Sequence, residues 1–128
     1  MSTIGIQMYT LRDSMNTRED LEKTLRRVAE MGYTSVQIRI PDFVTDEEGA
    51  AMLAHYGLSA DTAFAPFDDH IWENIPKTVK QAQLLGTNMV RTTSIPHDLG
   101  QSEEGYHEFA RQMNRVAAEF AKSGLTFM

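Results

Sequence analysis

The segment Gly124-Leu125-Thr126-Phe127-Met128, at the end of the chain, joins a glycine to the opening of an apolar β-strand. The same joint of helix end, glycine and short strand occurs three times earlier, around Gly32, Gly57 and Gly86. Glycine accepts the left-handed backbone that closes the last turn of a helix, so each joint predicts that a helix ends and a strand follows. The sequence therefore predicts a repeat of helix, glycine and strand that has just reached its fifth strand.

Hydrophobic periodicity supports this repeat along the whole chain. The first strand is predicted over 3–9, where apolar residues alternate with others, and helical spacing of apolar residues precedes each glycine. The third helix is predicted to hold Pro76 in its first turn, where proline is tolerated. The other helix starts are predicted from capping residues at Asn16 or Thr17, at Thr45 and at Ser102. Four βα units of this kind imply parallel strands joined by right-handed crossovers.

Polar residues on the strands help to choose between two α/β architectures. A central strand of a doubly wound, flavodoxin-like sheet is covered on both faces and is almost entirely apolar. A barrel can carry polar groups inside and at its carboxyl-terminal mouth. Every complete strand here carries at least one polar residue, from the set Gln7, Gln37, Arg39, Asp61, Arg91 and Thr93. We predict a single domain over 1–128 that holds the first four βα units of a (βα)₈ TIM barrel and the start of strand five, with the doubly wound sheet as the alternative.

Composition restricts the class of partner. The chain of 128 residues has 18 Asp and Glu against 12 Lys and Arg, a net charge of −6 and no cysteine. An acidic protein without a basic run is a poor ligand for nucleic acid. The strand pattern begins at once, which leaves no room for a signal peptide, and no apolar run is long enough to cross a membrane. We expect a cytoplasmic protein with no nucleic-acid or membrane partner.

Several segments resemble one known family. The stretch Gly5-Ile6-Gln7-Met8-Tyr9-Thr10-Leu11-Arg12-Asp13 resembles the opening of the sugar phosphate isomerase/epimerase family, the xylose-isomerase-like TIM barrels. Residues 25–33, 57–58 and 85–90 are similar to later family segments, and 124–128 is similar to the lead-in to the family's fifth strand. The resemblance runs along the whole chain but covers only the front half of a family member, so the chain is expected to be truncated in strand five.

The resemblance implies a sugar or sugar phosphate isomerase or epimerase that moves a proton next to a carbonyl of a small sugar or cyclitol. It also implies a divalent metal, Mn, Mg, Zn or Co, for the full-length protein, because such an ion polarises the carbonyl. The family's metal ligands are two glutamates, an aspartate and a histidine on strands five to eight. They and the catalytic residues would lie beyond Met128, so we assign no metal ligand in this chain. The alternatives are a dehydratase on the same scaffold and a non-catalytic half-barrel that self-associates, for example as a homodimer.

Candidate substrate-binding residues follow the strands, at the face where parallel barrels hold their active sites. They are Gln7, Tyr9, Arg39, Phe64, Arg91, Thr93 and His97. Phe64 stands where the family often has a histidine, so the substrate is expected to meet an aromatic ring there. The alternative for Arg39 and Arg91 is a buried charge network with Asp61 between them. The run Asp68-Asp69-His70 is expected to cap a helix rather than to bind a metal.

Overall fold

A computed structural model describes residues 3–128, and residues 1 and 2 lie outside the described part. Six strands and four α-helices alternate along it, and two 3₁₀ helices, Met8–Ser14 and Leu99–Gln101, lie between them. The elements in chain order are β1 (Ile6–Gln7), α1 (Arg18–Glu30), β2 (Ser35–Gln37), α2 (Asp46–His55), β3 (Ser59–Ala60), β4 (Ala63–Phe64), α3 (Ile71–Leu85), β5 (Met89–Arg91), α4 (Glu103–Ala121) and β6 (Thr126–Phe127).

The strands are all parallel and follow one another in chain order. β1, β2 and β3 form one three-stranded sheet, and β4, β5 and β6 form another. β3 and β4 are the two halves of the third predicted strand, which is interrupted at Asp61 and Thr62. The first half pairs with β2, with Val36 opposite Ala60, and the second half pairs with β5. A doubly wound sheet reverses its strand order at a switch point, and this order does not reverse, so the barrel prediction is confirmed.

The predicted joints between helices and strands are confirmed. Each of the four glycines that follow a helix has a positive φ, with values of 92° at Gly32, 67° at Gly57, 68° at Gly86 and 73° at Gly124. At the opposite ends of the helices, capping side chains accept backbone N–H groups as predicted. The three caps are Thr17, which accepts from Asp20, Thr45, which accepts from Glu48, and Ser102, which accepts from Gly105. Local sequence therefore determines where these helices begin and end.

Two element boundaries differ from the prediction. β1 is shorter than the predicted strand, because the chain turns into a 3₁₀ helix at Met8, whose side chain is buried. Pro76 was predicted in the first turn of the third helix, but α3 begins at Ile71 and places Pro76 in its second turn. That prediction is wrong because Ile71 and Ile75 are both buried in the core, and their burial stabilises an earlier start of the helix.

The core consists of two apolar clusters, one for each sheet. The first packs α1 and α2 against β1, β2 and β3, with Leu21, Leu25 and Val36 fully buried. The second packs α3 and α4 against β4, β5 and β6 around Phe120 and Val90. Leu85 of α3 contacts both clusters. No helix within residues 3–128 is long and apolar enough to cross a membrane.

Candidate substrate-binding cleft

A cleft of about 820 Å³ lies at the carboxyl ends of β1, β2, β4 and β5. In parallel barrels this face holds the active site. Six of the seven candidate residues from the sequence line the cleft: Gln7, Tyr9, Arg39, Phe64, Arg91 and Thr93. The topology brings them together because each one lies at, or within two residues of, the carboxyl end of its strand.

The ring of Phe64 lies close to both arginines of the cleft. The guanidinium carbon of Arg39 is 5.1 Å from the centroid of the Phe64 ring, and that of Arg91 is 5.2 Å from it. Arg91 is half-buried, and this burial lowers the pKa of its guanidinium. Its Nε atom is buried without a hydrogen-bond partner among residues 3–128. The ring and the two cations form one recognition surface, which we call the Arg-Phe-Arg cluster.

Asp61 does not join the two arginines. It accepts a hydrogen bond from the hydroxyl of Ser35, at the amino end of β2, and its carboxylate lies beside Gly5, just before β1. No carboxylate of the described residues lies within 4.0 Å of Arg39 or Arg91. The predicted charge network is not formed, because Asp61 lies toward the amino ends of the strands and the guanidiniums reach the carboxyl ends.

The backbone at Phe64 is anchored by a side chain that sequence reasoning missed. The N–H of Phe64 donates to Gln81 Oε1 at 3.0 Å, and Gln81 Nε2 donates to Asp46 Oδ1 at 2.8 Å. Gln81 thereby links β4, α3 and the first turn of α2. No pattern in the sequence marks this glutamine, because its role depends on how α3 packs beside β4.

Amide and phenol groups complete one side of the cleft. Gln7 Nε2 donates to Gln37 Oε1 at 3.0 Å, which joins the ends of β1 and β2. Tyr9 is 68% exposed, and the guanidinium of Arg12 lies 4.6 Å from the centroid of its ring. Arg12 also donates to the backbone oxygen of Tyr9 at 3.1 Å. The amides of Gln7 and Gln37 are suited to the hydroxyls of a sugar, and the exposed ring of Tyr9 is suited to its apolar face.

The histidines lie apart from this cleft. His97 is in the exposed loop after β5, and its backbone oxygen accepts a hydrogen bond from Gln101 Nε2 at 2.9 Å. It does not line the cleft, so its role in substrate binding stays a prediction. His70 donates its backbone N–H to Asp68 Oδ1 at 2.9 Å, just before α3.

The residues present do not fit a metal centre. Residues 3–128 contain no group of three or more histidine, cysteine, aspartate or glutamate side chains that could hold an ion. The cleft itself contributes a single carboxylate, Asp42, and no histidine. The cleft therefore offers hydrogen bonding, positive charge and aromatic surface.

Solved structures share this fold. The chain matches a sugar phosphate isomerase/epimerase from Parabacteroides distasonis, with a TM-score of 0.69 and 21% identity over 98% of this chain and 49% of that one. It matches a xylose isomerase domain protein from Alicyclobacillus acidocaldarius, with a TM-score of 0.68 and 18% identity over 98% and 48%. It also matches the probable 3-DHS dehydratase AsbF from Bacillus anthracis, with a TM-score of 0.67 and 13% identity over 99% and 51%.

No family model matches the sequence, and no curated protein gives a significant match. The shared feature is thus the three-dimensional fold, at sequence identities too low to carry an activity. This chain spans about half the length of each of these three solved structures. It has the fold of a xylose isomerase-like TIM barrel over about half of that barrel.

Proposed function

We propose that the chain supplies the substrate-binding half of a carbohydrate isomerase or epimerase site. The observation that carries the proposal is the meeting of Gln7, Gln37, Phe64 and Arg91 in one cleft at the carboxyl ends of parallel strands. That face of a barrel is where its chemistry takes place. The substrate class is a small sugar or cyclitol, because the cleft combines amides for hydroxyl groups with a phenyl ring for the apolar face of a sugar ring.

The residues of this chain would bind and orient the substrate. The amides of Gln7 and Gln37 present an oxygen and N–H groups to hydroxyls, and the ring of Phe64 restricts the tilt of the sugar. Such positioning lowers the barrier for moving a proton next to a carbonyl. No proton-transfer step is assigned here, because Asp42 is the only carboxylate of the cleft and lies in an exposed loop. The proposal for the whole protein includes a divalent metal, and the described residues of this chain offer no site for it.

Exchange of substrate protons with solvent tests the proposal directly. The whole protein that contains this chain is incubated in D₂O with a panel of aldoses, ketoses and cyclitols, with and without Mn²⁺, and deuterium next to the carbonyl is followed by NMR. Isomerase or epimerase activity predicts deuterium incorporation above the protein-free rate for at least one substrate. Gln37→Ala should lower that rate about 10-fold, as expected for a lost positioning contact. Gln83→Ala, on the exposed face of α3, is the matched control and should leave the rate unchanged.

Absence of deuterium incorporation across the panel would contradict the proposal. An equal effect of Gln37→Ala and Gln83→Ala would also contradict it, because activity would then not depend on the cleft.

A dehydratase is the second candidate. The match to a probable 3-DHS dehydratase favours it, since removal of the same proton followed by loss of a hydroxyl gives a lyase. The two reactions differ in product mass. Mass spectrometry of parallel incubations in H₂O therefore separates them, because a dehydratase releases water and an isomerase or epimerase leaves the substrate mass unchanged.

The alternative to an enzyme that we propose is a non-catalytic half-barrel that self-associates. β1 pairs only with β2, and β6 only with β5, so within the described residues each sheet has a strand edge without a partner. Ile4 beside β1 is 77% exposed. Open strand edges of this kind favour pairing with a second copy. Light scattering at several protein concentrations tests this proposal, and a constant monomer mass would contradict it.

A further inference from the structure

We infer that the cleft takes a substrate that carries a carboxylate, held by Arg39 and Arg91 on the two arms of the Arg-Phe-Arg cluster. The inference rests on the proposed function only in taking this cleft as the substrate site. It specifies that the substrate is negatively charged, a property that the fold and the amides of the cleft leave open.

The charge of the cleft is opposite to the charge of the protein. The whole chain carries a net charge of −6. The charged residues that line the cleft are Arg12, Arg39 and Arg91, with Asp42 as the only acidic one. A positively charged cleft concentrates anions near it, and this holds although the protein as a whole is negatively charged.

Arg39 and Arg91 have no carboxylate partner among residues 3–128, unlike several other cations of the chain. Arg18 pairs with Glu48 at 2.5 Å, Lys80 with Glu47 at 2.8 Å, and Arg111 with Glu108 at 2.8 Å. No carboxylate of residues 3–128 lies within 4.0 Å of the guanidinium of Arg39 or Arg91. The buried Nε of Arg91 has no acceptor there either. A buried donor without an acceptor is destabilising, so a ligand oxygen that accepts from it gains this energy on binding.

The chemistry of the cleft favours a carboxylate over a phosphate. A guanidinium presents a planar fork of donors that matches the oxygens of a carboxylate or of a phosphate, so the surroundings of the two arginines decide between these anions. Phosphate sites are typically built from glycine-rich loops and the N-termini of helices. The lining of this cleft contains no glycine, and the first turn of the neighbouring α2 is acidic, with Asp46, Glu47 and Glu48. Phe64, which lies close to both guanidiniums, provides apolar surface for the sugar carbons next to the carboxylate.

Binding of model sugars tests the inference without requiring turnover. The probes are D-glucuronate, its neutral counterpart D-glucose and D-glucose 6-phosphate, titrated into the protein by calorimetry at constant ionic strength. D-glucuronate should bind at least 10-fold more tightly than D-glucose. Arg39→Gln and Arg91→Gln should each lower its affinity at least 10-fold, and Arg39→Lys and Arg91→Lys should lower it less, because they keep the charge and lose the fork. Arg115→Gln is the matched control, since Arg115 also lies beside an aromatic ring, Trp72, but outside the cleft.

A second measurement uses the unsubstituted protein, so that it does not depend on whether a variant folds. The Nε–H resonance of Arg91, observed by ¹⁵N NMR, should shift when D-glucuronate is added and should stay in place with D-glucose. Three outcomes overturn the inference: equal affinity for D-glucose, tighter binding of D-glucose 6-phosphate, or an unmoved Arg91 resonance at saturation.

The inference and the proposed function fail in different ways. Arginine-dependent binding of D-glucuronate without deuterium exchange on any substrate supports the inference and contradicts the isomerase. Deuterium exchange on neutral sugars that Gln37→Ala lowers and Arg39→Gln leaves unchanged supports the isomerase and contradicts the inference.

Discussion

Polar side chains at the two ends of the parallel strands differ in whether they have partners within the fold. At the amino ends, Ser35 donates to Asp61, and Thr87 Oγ1 donates to the backbone oxygen of Asp61 at 2.6 Å. At the carboxyl ends, Arg39 and Arg91 have no carboxylate partner among the described residues. The comparison teaches that Asp61 is paired within the fold at one end, and that the two arginines at the other end are left without a carboxylate partner.

Removing the Asp61 carboxylate gives the largest expected change in stability. Asp61→Ala leaves the buried Ser35 hydroxyl without its acceptor, and we expect a loss of about 1–3 kcal/mol in the free energy of unfolding. Urea denaturation measures the loss, and D-glucuronate binding should not change, because Asp61 lies outside the cleft. Arg91→Gln is the matched contrast at the other end, with an expected change in unfolding free energy within about 0.5 kcal/mol. A reversed order of the two effects would break the comparison.

Substitution of Gln81 tests whether the position of Phe64 in the cleft depends on the hydrogen bond from its backbone N–H to Gln81. Gln81→Met keeps the size of the side chain but removes the acceptor for the N–H of Phe64 and the donor to Asp46. We expect a loss of about 1–2 kcal/mol in unfolding free energy. Gln81→Glu keeps the acceptor for Phe64 and, combined with Asp46→Asn to avoid repulsion between two carboxylates, should hold its N–H better than methionine does. Hydrogen exchange of the Phe64 amide separates the two variants, and equally fast exchange in both would contradict the assigned contact.

The N-terminus of α2 has its first backbone N–H groups bound by capping side chains, in contrast to the arginines of the cleft, which have no carboxylate partner. Thr45 and Glu48 form a capping box, with Thr45 Oγ1 accepting the Glu48 N–H at 3.1 Å and Glu48 Oε2 accepting the Thr45 N–H at 2.9 Å. Thr45→Ala should lower the unfolding free energy by about 1 kcal/mol, and Thr45→Ser should restore most of it. Thermal unfolding compares the two variants, and identical midpoints would show that this hydroxyl does not stabilise the helix.

Acid should remove a smaller part of the stability through the same cap. The hydrogen bond from the Thr45 N–H, followed by that from Arg18, lowers the pKa of Glu48 from 4.5, and Lys80 likewise lowers the pKa of Glu47. A carboxyl whose pKa is lower in the folded state stabilises it above the unfolded pKa, and loses this contribution as the pH falls through the folded pKa. Stability should therefore decline below about pH 4.5, and Glu48→Gln should flatten the decline. A decline of unchanged steepness in Glu48→Gln would exclude Glu48 as its source.

Local chemistry made the joints of the fold predictable. Glycines such as Gly86 follow the helices because only glycine readily adopts a φ near 68°, and Thr45 precedes α2 because its hydroxyl satisfies an exposed N–H. The start of α3 was not predictable from Pro76, because burial of Ile71 outweighs the local preference of proline. The split of the third strand at Asp61 was also missed, since it depends on which neighbour each half pairs with.

By itself the sequence determined the order of βα units, the helix ends and the strand-end residues of the site, because periodicity and capping act over a few neighbouring residues. Tertiary structure alone decided that Arg39 and Arg91 share Phe64 and that Asp61 pairs with Ser35 instead. It also decided that Gln81 anchors Phe64. These contacts join residues far apart in the chain, so their distances depend on strand register and helix packing, which no local pattern encodes.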